Sequence, residues 1–230
     1  MKKLNSIFIF LASLLFLITT LFSTCKSEPS KSGVKEEGVI EFETKGINEE
    51  HPLYSLAPNS ATLKFKKEKF AVEMSTMGLF NTTIIGDLKA KTQIQTIKFM
   101  DINEASIENA KDIENANKEY ELKIEETNET KKIANLNCIK LNVSLVKNPS
   151  VKFEAWYTKD LGLENCNSLN PYASVKGVLM DYRLKKMGLE LHFLAKSYKN
   201  VKVPDNTFEI SPSLKIVSKE EISKLFSNFQ

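Results

Sequence analysis

Large apolar side chains recur at every second position along most of this chain, and that period constrains the fold more than any other feature. Ile40, Phe42 and Thr44 alternate with Glu41 and Glu43, and Leu63 and Phe65 alternate with Thr62, Lys64 and Lys66. Phe70, Val72 and Met74 alternate with Ala71 and Glu73, while Ile139, Leu141, Val143 and Leu145 alternate with Lys140, Asn142 and Ser144. Val151, Phe153 and Ala155 follow across the turn Asn148-Pro149-Ser150. Val178, Met180, Tyr182 and Leu184 then lead, across Lys185 to Gly188, into Leu189, Leu191, Phe193 and Ala195. Successive side chains of a strand point to opposite faces, so each run is a half-buried antiparallel strand with one wet face. Weaker segments near 79–86, 92–99, 120–127 and 206–217 bring the series to about ten or eleven strands joined by short turns. The expected fold is mainly β: a strongly curled antiparallel sheet, or incomplete β-barrel, running up and down.

Two segments depart from the pattern. Residues 103–118 are rich in Asn, Glu and Ala, with Ile107, Ala110, Ile113 and Asn117 loosely spaced for a helical face, which suggests a helix or helical lid. Ser218-Lys219-Glu220-Glu221 has the form of a capping box. It opens a C-terminal helix whose Ile222, Leu225, Phe226 and Phe229 make one apolar stripe. That stripe is too small to cover the inner face of such a sheet. Phe42, Phe65, Phe70, Val72, Met74, Leu141, Val143, Phe153, Met180, Tyr182, Leu191 and Phe193 are expected to share that face. Each side chain left uncovered forfeits about 1.5–3 kcal/mol of burial. The lid, closure of the sheet on itself, or a ligand must therefore fill it. The expectation is a partly open cavity for an acyl chain, with Met74 and Met180 as adaptable walls. A fully packed core is the alternative.

Little in the chain points to catalysis. The net charge of +3 includes Lys2 and Lys3; from residue 25 onward 30 basic residues face 29 acidic ones. A surface so balanced excludes nucleic-acid binding driven by bulk charge. Arg183 is the only arginine, which removes most bidentate recognition of phosphate or carboxylate. His192 stands on the opposite parity from Leu191 and Phe193, and His51 precedes Pro52 in a loop, so both read as surface histidines rather than bases or ligands. There is no Gly-rich phosphate loop, no zinc-type cysteine spacing and no His-Glu-x-x-His. Adjacent carboxylates such as Glu36-Glu37, Glu49-Glu50 and Glu125-Glu126 point to opposite faces of a strand. No catalytic residue, metal or cofactor is assigned. Trp156, opposite in parity to Phe153, either covers a sheet edge or faces a helix.

The N-terminus carries an address. Lys2 and Lys3 precede an apolar run from Ile7 to Phe22, whose 16 residues fall short of the roughly 20 that span a bilayer as a helix. A charged start, a short apolar core and small residues describe a signal peptide over 1–24. Leu21-Phe22-Ser23-Thr24-Cys25 resembles the lipobox of bacterial lipoproteins, which implies acylation at Cys25. Ordinary signal cleavage and an uncleaved anchor are the alternatives. Residues 25–35 then read as a lipidated polar tether, and 36–230 as one domain. The remaining Cys138 and Cys166 are either a disulfide, as an even pair in an exported protein suggests, or two thiols.

A wider resemblance covers most of the domain. Phe153-Glu154-Ala155-Trp156-Tyr157-Thr158-Lys159-Asp160-Leu161, then Asn170-Pro171-Tyr172 and Lys176-Gly177-Val178-Leu179-Met180, resemble a Bacteroidota group of exported lipoproteins related to the GLPGLI proteins. Val203-Pro204-Asp205-Asn206-Thr207-Phe208-Glu209-Ile210, Lys215 to Glu221, Ala71 to Met74 with Met77-Gly78, and Asn137-Cys138 fit the same pattern. That group is similar in fold to the LolA/LolB/RseB superfamily, in which an incomplete barrel wraps a hydrophobic cavity beneath helices. The resemblance implies an outer-membrane lipoprotein facing the periplasm or the cell surface, with a cavity for lipid or for the acyl chain of a protein. A sensor of the RseB type, or a structural envelope protein without a ligand, is the competing expectation.

Overall fold

A computed structural model describes residues 35–227 apart from Met187, and without the side chains of Ser223, Leu225, Phe226 and Ser227. The signal segment 1–24, Cys25 and Phe229 lie outside the described residues. Twelve strands make one sheet. They are β1 (Glu37–Gly46), β2 (Ser60–Lys66), β3 (Lys69–Thr76), β4 (Phe80–Asp87), β5 (Thr92–Phe99), β6 (Ile102–Glu108), β7 (Leu122–Ile133), β8 (Leu136–Leu145), β9 (Lys152–Thr158), β10 (Val178–Lys186), β11 (Leu189–Lys199) and β12 (Lys215–Ile216). Among the described residues two α-helices accompany them, α1 (Ala110–Glu119) and α2 (Lys219–Ser227).

The order across the sheet is β12-β6-β5-β4-β3-β2-β1-β11-β10-β9-β8-β7. From β1 the chain zigzags outward through hairpins to β6, crosses by way of α1 to the far edge, and returns from β7 to β11. There β11 pairs with β1, Val39 opposite Lys199 and Gly46 opposite Leu191. Every pairing is antiparallel except the short parallel contact of β12 with β6. The sheet stays open, with β7 at one edge and β12 at the other. The expected up-and-down series thus holds within two runs and is interrupted twice, between β6 and β7 and again between β11 and β12.

Of residues 103–118, expected as a helix or helical lid, 110–118 lie in α1, whereas 103–108 belong to β6. Asn109 separates the two. Its side chain accepts from the N–H groups of Lys111 and Asp112, and the Asp112 carboxylate accepts from the Asn109 N–H, a complete capping box. The strand itself was hidden by inverted polarity. Ser106 and Glu108 are buried on the inner face, while Ile107 on the outer face is exposed. Lys219 of α2 forms an ion pair with Glu108 at 3.0 Å.

Eleven of the twelve apolar residues expected on one face do share it. The register sets Met74 against Ala61 and Ala61 against Phe42, Val72 against Leu63, and Phe65 against Phe70. Tyr182 lies opposite Phe193, Leu191 opposite Leu184, Leu141 opposite Ala155 and Val143 opposite Phe153. Met180 is the exception, because the register of β10 on β9 shifts between Leu179 and Asp181 and the alternation breaks there. The outer face is not simply wet. Ala71 and Ile85 are buried beneath Val203 and Phe208, with Val39 and Ile94 beside them.

Candidate functional site

Four strands carry a row of residues in register: Gly38, Phe65, Phe70 and Gly86. The two phenylalanines are cross-strand partners, and each faces a glycine on its other side. Leu63 and Val72 form the next pair on the same face. Across the curve of the sheet, Tyr182 stacks on Phe193 with ring centroids 4.9 Å apart and planes within 6°. Phe42 stands edge-on to both, at 6.0 and 6.2 Å.

The long return from β9 to β10, residues 159–177, covers part of this face. Leu161, Leu169, Tyr172 and Val175 anchor it by burial. Its polar groups tie it down as well. Asn167 Nδ2 donates to the carbonyls of Val175 and Gly177 at 3.0 and 2.7 Å. Tyr172 packs edge-on against Tyr182, and its hydroxyl donates to the Arg183 carbonyl at 2.8 Å. Gln93 Nε2, buried on β5, donates to the Leu169 carbonyl at 3.3 Å. Gly177 permits the loop to rejoin the sheet, since a Cβ there would stand 2.4 Å from the Thr158 carbonyl oxygen. Burial pushes the Tyr172 and Tyr182 hydroxyls above their ordinary range, so both stay neutral.

Between this loop and the β2–β3 hairpin lies a cavity of about 450 Å³. Leu63, Phe65, Phe70, Val72, Leu163 and Tyr182 line its apolar wall, and Lys67, Lys69 and Lys91 stand at its margin with Glu68 and Glu164. The volume lies within the range of roughly 300–1,000 Å³ usual for small-molecule sites. Such a space takes an apolar chain with a polar end.

Four of the expected cavity residues, Phe65, Phe70, Val72 and Tyr182, line this space. Phe42, Met74, Leu191 and Phe193 are buried in the packed core beside it, as is Met180. Leu141, Val143 and Phe153 belong to a second cluster with Tyr157, Tyr172 and Leu179, joined to the first through Tyr182. Neither Met74 nor Met180 forms a wall of the cavity. The walls given by Leu163 and the 165–170 turn were missed, because that stretch has no periodicity and reads as a bare connection.

Cys138 and Cys166 are free, which corrects the bridged alternative. Strand β9 separates them. Cys138 faces Thr158, Thr158 faces Val178, and the Cys166 thiol donates to the neighbouring Gly177 carbonyl at 3.2 Å. Burial raises the Cys138 thiol to about 11 and the Cys166 thiol, in the cavity wall, to about 12.

His192 is not a bare surface histidine. Its Nε2 lies 2.7 Å from Asp181 Oδ1, and Lys131 reaches Asp181 Oδ2 at 3.3 Å while its ammonium sits 4.1 Å above the Trp156 ring. Trp156 is buried under that lysine rather than against a helix. Burial raises the Asp181 carboxyl, but its bonds to His192 and Lys131 outweigh that and leave it below the usual carboxylate range. Among the described residues no group of three His, Cys, Asp or Glu side chains is placed to hold a metal ion.

The open β-architecture resembles part of PNGF-II, solved in two crystal forms, with TM-scores of 0.53 and 0.51. Both matches have 16% sequence identity and cover 84% of this chain, against 34% and 33% of PNGF-II. The chain thus spans about a third of the length of PNGF-II. At that identity the likeness is one of fold alone. No protein-family model and no curated protein matches the chain.

Proposed function

We propose that this protein is a non-enzymatic binding module of the bacterial envelope, anchored through an acylated Cys25 and facing the periplasm from the outer membrane. Its ligand is a lipid or the acyl chain of a lipoprotein, as in the LolA/LolB/RseB superfamily that the sequence resembles. The observation that supports this reading is the cavity of about 450 Å³ with Leu63, Phe65, Phe70, Val72, Leu163 and Tyr182 on its wall. The 159–177 return takes the place that helices have over the cavity in that superfamily. Mass spectrometry of the full chain purified from its native membrane tests it, together with displacement of fluorescent anthroyloxy-stearate. A co-purifying lipid and saturable displacement are expected; a protein that carries no lipid and binds no probe rules the carrier out.

A second reading, an interaction protein that senses a partner, draws on one feature. Met77, Leu79 and Met100 are 82, 72 and 87% exposed at the neighbouring β3–β4 and β5–β6 turns. Replacing all three by Ser separates the readings: a carrier keeps its probe affinity, whereas a sensor loses its partner in a pull-down.

A further inference from the structure

We propose that the ligand of this cavity is a single-chain amphiphile with an anionic head, held at the margin by Lys67, Lys69 and Lys91. The inference rests on the cavity reading above and adds the head-group class. All three lysines border the apolar wall and are exposed. None of them makes an ion pair among the described residues, whereas Lys64 and Lys66 of the same hairpin are held by Glu73 and Asp205 at 2.6 and 2.7 Å. Glu68 and Glu164 share the margin, so positive charge exceeds negative by one, and the lysines are the unoccupied donors. An apolar chain buried along Phe65, Phe70 and Val72 would bring its head to this point, where an anion gains three ammonium partners and a neutral head gains none.

The chemistry of the donors fixes how selective the head contact is. Arg183 is engaged elsewhere, 3.8 Å from Glu190 and 5.0 Å from the Phe153 ring. Lysines act as point charges without the planar fork of arginine, so carboxylate and phosphate heads are both accepted. The location fits a ligand drawn from a membrane. The Lys67 N–H donates to the Glu36 carbonyl at 2.6 Å, so the residue just before β1 lies beside the cavity margin. The modest volume suits one chain better than several.

The test uses the full chain and displacement of anthroyloxy-stearate by four competitors: laurate, lauryl phosphate, glyceryl monolaurate and decane. Laurate and lauryl phosphate are expected to bind about tenfold or more tightly than monolaurate, a preference that shrinks as salt is raised. The variant Lys67→Gln/Lys69→Gln/Lys91→Gln is expected to lose that preference while keeping its affinity for monolaurate and its melting temperature. Equal binding of charged and neutral competitors, or an unchanged preference in the triple variant, overturns the head-group assignment and leaves the cavity reading intact. Failure of every competitor and of the probe overturns both.

Discussion

A Cβ built on Gly86 would stand 2.2 Å from Cε1 and Cζ of Phe70, so the ring lies directly over the glycine of the neighbouring strand. This contact sets the position of a cavity wall. Gly86→Ala is expected to push the ring out of place, lowering stability by about 1–3 kcal/mol as overpacking does and weakening probe binding more than fivefold. Urea denaturation and probe titration check both effects. An alanine variant with unaltered stability and affinity would show that the ring is free to move.

The thiols give a second test. Cys138 and Cys166 are expected to react slowly with a maleimide at pH 8 in the native protein and rapidly once urea unfolds it. Reductant is expected to leave the melting temperature unchanged. A non-reduced mass lower than the reduced one by two hydrogens would mean that the cysteines are bridged after all.

The same thiols predict a loss of stability in alkali. Their folded values, about 11 and about 12, exceed the unfolded value of about 8.5. Above pH 9 the unfolded chain has released protons that the folded chain still holds, so unfolding becomes easier as pH rises toward 11. Cys138→Ala/Cys166→Ala is expected to flatten the decline between pH 9 and pH 11, read by denaturant midpoints across that window.

Asp181 predicts the opposite limb. Its carboxyl is lowered in the folded state, so its contribution is present above the unfolded value of about 3.9 and is lost as pH falls below it. Asp181→Asn is expected to cost about 1.5–3 kcal/mol at pH 7 and much less at pH 3. Equal losses at the two pH values would mean that charge is not what the site supplies.

The strands of the inner face were legible because their code is local. Phe65, Val72, Leu141 and Phe193 each announce their face through the residues on either side. Glu108 and Ser106 defeat that code, since these polar side chains are buried on the inner face and the stretch reads as helical. The crossing from β6 to β7 was also illegible, because strand order is decided by which edges meet and leaves no periodic trace. The cavity was half legible: the sheet side was read from alternation, whereas Leu163 and Asn167 sit in a loop whose position depends on distant contacts such as Gln93 with the Leu169 carbonyl. Met180 escapes the parity rule because the register of β10 on β9 shifts at that point.

The pairing of β1 with β11 also sets how the chain must fold. Within β1–β6 and within β7–β11 each strand finds its partner across a short connection, so both runs can zip from local hairpins. Val39 and Lys199 meet only when nearly the whole domain has been threaded between them. Closing so long a loop is entropically expensive, and topologies with such distant contacts fold slowly. Two half-sheets with raw edges at β1 and β11 are therefore expected to form before the native state. Their docking is the expected kinetic bottleneck, at which a newly made chain is most open to mispairing.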